Sequence, residues 1–185
     1  IEDKVLKKDI KTGKPLLTEH FKETQFKLSE KLVKFSNNKR ISLPVRLHDF
    51  KLFKDIFNFD HYEFHFSYKE IYFLTENGFS ELLSIIDESL TISIHLPDYI
   101  SKDELINPFS KNSKVKDISV LLINTCAKLA AEIKIKTGKE CIILGSFSMN
   151  PFDTKAEFYS TFKSFIEKKE YKDNRIVAQW LPKKA

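Results

Sequence analysis

Apolar and polar positions alternate with a period of two in five short stretches, and a helical period fills most of the intervals between them. The clearest stretch spans residues 90–99. There Ile92, Ile94 and Leu96 alternate with Ser93, His95 and Pro97, and Pro97-Asp98 stops the strand just after the histidine. Strands are likewise predicted over residues 41–49, 61–67, 140–148 and 175–182. Helices are predicted over residues 50–57, over 80–88 and over Ser113–Thr137. In the last of these Ile118, Leu121, Leu122, Cys126, Leu129 and Ala130 share a face, and Gly138 ends the run. A further helix, capped by Asp153 or Thr154, turns Phe158, Phe162 and Phe165 inward. Residues 100–112 read as a polar loop.

Strand–helix pairs repeated at this length predict an α/β fold with a parallel sheet. An open doubly wound sheet usually carries a glycine-rich first turn, and His48-Asp49-Phe50 has none. A TIM barrel needs more strands than the five found here, so the barrel reading is of a partial barrel and a piece of a larger chain. A complete small open-sheet α/β protein is the alternative. Residues 1–38 stand apart: they are too short to own a core and run into a connector rich in Lys, Ser and Asn. The expected division is therefore 1–38 and 39–185.

Composition adds constraints rather than a function. The chain has 185 residues, 42% hydrophobic against 31% charged, and only four glycines, which fits a packed domain and not a disordered one. The net charge of +5 comes from lysines scattered among acids, with no basic, aromatic-interleaved block of the nucleic-acid-binding kind. No apolar run approaches a membrane span and no signal peptide is visible, so no membrane partner is expected. Two cysteines without C-x-x-C spacing suit a reduced, cytoplasmic setting.

Sorting the strands by face gathers candidate chemistry. One face carries Arg46 and His48 on the first strand, Glu63, His65 and Ser67 on the second, Ser93 and His95 on the third and Gln179 on the fifth. On the fourth strand Gly145 and Ser146 are both small, which leaves its facing open. Strands buried in parallel sheets are normally apolar on both faces, and polar side chains there are costly unless they bond each other or line a cavity. Glu63, His65 and His95 are candidate ligands for a divalent cation, although no zincin-type signature is present. Asp98, directly after the third strand, is a candidate general base or simply a turn residue.

Two resemblances sharpen these expectations. Residues 8–21 (KDIKTGKPLLTEHF) resemble the closing segment of the SAF (antifreeze-like) domain at the C-terminal end of sialic acid and related nonulosonate synthases. From about Leu43 to Pro182 the chain is similar to xylose-isomerase-like TIM barrels, and in particular to the barrel module that follows the SAF domain in some bacterial nonulosonate synthases. The stretches that carry this are residues 47–50 (LHDF), 63–69 (EFHFSYK), 94–98 (IHLPD), 145–150 (GSFSMN) and 179–182 (QWLP).

The resemblance implies a sugar or sugar-phosphate isomerase or epimerase, assisted by Mn, Co or Zn, in nonulosonate biosynthesis, covalently linked to synthase and SAF domains. Glu63, His95 and Asp98 would be the catalytic groups, with Glu63 and His95 the metal ligands. Arg46, His48, His65, Ser67, Ser146 and Gln179 would hold the sugar. A non-catalytic sugar-binding or scaffolding barrel is the competing expectation. A partial barrel would also bare a sheet edge, so pairing with a second copy or another chain is expected.

Overall fold

The computed structural model describes residues 42–57, 59–148 and 150–181, with backbone alone for Trp180 and Leu181. The SAF-like segment and the connector at residues 25–40 thus lie outside the described residues. Strands β1 (Leu43–Val45), β2 (His61–His65), β3 (Thr91–His95), β4 (Ile142–Ser148) and β5 (Arg175–Leu181) form one parallel sheet in the order β1-β2-β3-β4-β5. Each strand pairs with its sequence neighbour, and the order never reverses.

Register assigns the two faces. Val45, Phe64, Ile94, Ile143 and Ile176 are successive partners across the sheet, and in a parallel ladder partners point the same way. All five are buried. Helices α1 (Phe50–Ile56), α2 (Tyr68–Asn77), α3 (Ser80–Ile85), α4 (Ser113–Thr137) and α5 (Lys155–Ile166) cover this face. Phe50 packs edge-on to Tyr62 and Phe64, and Phe162 meets Phe147. The long α4 contributes Leu122, Ile123, Cys126, Leu129 and Ile133 to the same core. Asn112 caps its start through Lys114 N, and Gly138, in the left-handed region at φ 67°, closes its end.

The other face is different in kind. Its rows are Pro44–Glu63–Ser93–Ile142–Arg175, then His65–His95–Leu144–Val177, then Ser146–Gln179. The facing of β4 is thereby resolved. Gly145 lies on the helix side, where a Cβ would come within 2.8 Å of the Phe147 ring and 2.9 Å of Leu96, so Ser146 belongs to the polar face.

Three expectations need correction. The first strand ends at Val45, because Asp49 N and Phe50 N both turn back to Arg46 O; the period of two does not continue to His48. Residues 68–77 form a helix that the pattern did not single out, started by a Ser67–Glu70 capping box. The next helix stops at Ile85 rather than residue 88, where Ile86 turns extended. Of the two proposed caps for α5, Thr154 takes the role by accepting from Glu157 N.

Candidate active site

The C-terminal ends of β1, β2 and β3 deliver Arg46, His65 and His95 to one place. A cavity of about 300 Å³ opens there, walled also by Ser67, Tyr68, Pro97, Asp98, Tyr99 and Lys102. The imidazoles of His65 and His95 stack at 4.6 Å between centroids and 14° between planes. Their pairing follows from register, since the two residues end adjacent parallel strands as direct partners.

Hydrogen bonds fix which nitrogen of each ring is free. The Nδ1 of His95 lies 2.8 Å from the carbonyl of Leu96, which can only accept, so Nδ1 carries the proton and Nε2 is left as an acceptor. The Nε2 of His65 donates to Glu63 Oε1 at 2.5 Å, which leaves Nδ1 as its acceptor. Glu63 thus stands one row below the cavity, behind His65 rather than in the wall. Further down the same face His61 Nε2 meets Ser93 Oγ at 3.1 Å; burial holds the His61 imidazole below its ordinary pKa, against a smaller upward pull from Glu63.

The first-strand end is fastened by Glu70. Arg46 Nη1 donates to His65 O at 2.6 Å and lies 3.5 Å from Glu70 Oε2. Glu70 also accepts from Ser67 N, Ser67 Oγ and Leu47 N, at 2.7, 2.8 and 3.0 Å. Burial alone would raise its pKa, but the Ser67 and Leu47 hydrogen bonds and the charge of Arg46 outweigh it and hold the carboxyl below the usual carboxylate range.

The rim past β3 is a tight double-back. Ile106 N bonds to Asp98 O and Ile100 N to Glu104 O, which presents Asp98 and Tyr99 outward. Behind it, Asn107 is buried: its N–H donates to Ser119 Oγ and its amide to Asn150 O.

The expected residues therefore divide. Arg46, His65, Ser67, His95 and Asp98 line the cavity, and Glu63 supports it. Ser146 and Gln179 are register partners on the same sheet face but do not line the cavity. His48, with a side chain 72% exposed, lies on the turn after β1 and borders a separate cavity of about 620 Å³ between that turn, α2 and α3. The pattern missed Glu70, Tyr99 and Lys102. Glu70 was detectable as the fourth residue of a Ser-x-x-Glu capping box; the other two come from a loop without periodicity.

Among the described residues no group of three His, Cys, Asp or Glu side chains is arranged to hold a metal ion. Glu63 is engaged with His65, and His95 holds its Nδ1 on a carbonyl, which leaves Nε2 as the atom it would offer a metal. Cys126 and Cys141 are free thiols and both are buried. No described helix is long and apolar enough to cross a membrane. Comparison with protein-family models, with curated proteins and with solved structures finds no match.

Proposed function

We propose that this pocket binds a sugar or sugar phosphate and moves a proton next to its carbonyl, as a xylose-isomerase-like barrel module of nonulosonate biosynthesis would. The observation that carries the reading is the stacked His65–His95 pair at adjacent strand ends, both residues lining the cavity. The sequential parallel order, apolar on the helix face and polar on the other, supports a barrel whose interior is the polar face.

Either acceptor nitrogen, His95 Nε2 or His65 Nδ1, takes the proton from the carbon beside the carbonyl. The C–H electrons enter the carbonyl, giving an enediolate. Return of the proton to the neighbouring carbon, with the hydroxyl proton passing between the two oxygens, isomerises the sugar and restores a neutral imidazole. Epimerisation instead needs a second, protonated group to deliver its proton to the opposite face of the same carbon, the first imidazole keeping its proton until it exchanges with water. Glu63 orients His65 and balances its charge while the proton is held. Arg46, Lys102, Ser67 and Asp98 offer partners for hydroxyls and phosphate. A divalent metal of the kind the resemblance implies would take His95, and Glu63 behind it, as ligands and would polarise the sugar oxygens.

Calorimetric titration with aldose and ketose phosphates and the parent sugars tests the site itself. Saturable binding that His65→Ala and His95→Ala abolish supports it, and absence of binding across the panel overturns it.

A further inference from the structure

Glu70 does more than an N-terminal cap requires. In a capping box the helix start is satisfied once Ser67 Oγ accepts from Glu70 N and the Glu70 carboxylate accepts from Ser67 N, here at 3.3 and 2.7 Å. The second oxygen of the same carboxylate leaves the helix and accepts from Leu47 N, in the turn after β1. The first oxygen also lies 3.5 Å from Arg46 Nη1, which donates to the carbonyl of His65, the last residue of β2. One carboxylate, only 16% exposed, therefore ties together the end of β1, the end of β2 and the start of α2.

We propose that Glu70 is a positioning residue for the imidazole pocket, holding Arg46 against the His65 carbonyl and so setting the stacked ring pair. The inference rests on the reading of that pocket as the ligand site. The Arg46 side chain is 48% exposed, and without a fixed counter-charge it is free to turn to solvent and release the His65 carbonyl. A helix cap acting alone would leave the Arg46–His65 bond in place, so the loss of Glu70 and the loss of Arg46 would act on His65 independently.

The test reads the ring nitrogens of His65 and His95 by ¹⁵N NMR on the ligand-free protein, for Glu70→Gln, Arg46→Gln and the double variant. Both single variants are expected to shift the His65 ring signals, and the double variant no further than either, since they break one link. Binding of an aldose phosphate should weaken on the order of tenfold in each, the scale of one lost charge-assisted hydrogen bond. Unchanged ring signals in Glu70→Gln, or shifts that add in the double variant, would overturn the proposal. If Glu70→Gln does not fold, Arg46→Gln decides alone: wild-type ring signals there overturn it. Because the signals are read without ligand, failure of every sugar to bind would refute the ligand reading while leaving the Glu70–Arg46 coupling separately measured.

Discussion

His65 and His95 lie in ring contact because they are register partners on parallel neighbours, so any change that shifts β2 against β3 by one residue would separate them. Neither ring is part of the helix-side core. Replacing His95 with Ala is expected to change unfolding free energy by about 1 kcal/mol or less while removing ligand binding. Urea unfolding and calorimetry on the same sample check both halves; a large loss of stability would mark the ring as structural.

The pairing was only partly legible in the chain. Period-two alternation in β2 and β3 is strong enough to place Glu63, His65 and His95 on one face, because each is bracketed by buried aromatic or aliphatic residues. The same rule fails at His48, where hydrogen bonds to Arg46 O end the strand after Val45, and backbone turns leave no trace in hydrophobic periodicity. Helix α2 was hidden for another reason. Its Tyr68, Tyr72 and Phe73 have the composition of a strand, and the cap that starts the helix is set by Glu70. Which side Gly145 faced is decided by the register of β4 with its neighbours and by the close approach of Phe147 and Leu96.

Glu70 sets the sign of one pH effect. Its folded pKa is depressed below the usual 4.5, so its contribution to stability is present above that value and is lost as pH falls through the lower folded value. Acid unfolding below about pH 4.5 should therefore be shallower in Glu70→Gln than in the wild type. Equal acid slopes would contradict the bonding assigned to this carboxylate.

His61 acts in a higher window. Burial lowers its pKa from 6.5, so the unfolded chain takes up a proton first as pH falls. Stability should decline from about pH 6.5 downward until the folded value is passed, and His61→Asn should remove that decline. Chemical unfolding at closely spaced pH values measures it.

Gly145 leaves no room for a side chain beside Phe147 and Leu96. Gly145→Ala is expected to cost about 1–3 kcal/mol, the usual range for overpacking, and to disturb His95 through Leu96, whose carbonyl holds Nδ1. A neutral effect in thermal or urea unfolding would contradict the tight packing at this point.

The buried thiols give a simple check on the core. Burial raises the Cys141 pKa to about 12 and that of Cys126 further, so neither forms thiolate near neutrality. A disulfide reagent at pH 8 should label them only after denaturant is added. Rapid labelling of the native protein would mean that α4 and β4 are not packed as described.

The most direct test of the proton-transfer claim is exchange of carbon-bound hydrogen with solvent. The protein is incubated in D₂O with aldose and ketose phosphates, and loss of the ¹H signal beside the carbonyl is followed by NMR. The expected result is deuterium incorporation by the wild type that His65→Ala and His95→Ala both abolish. Binding without exchange, or exchange that survives both substitutions, would contradict acid–base chemistry on this histidine pair.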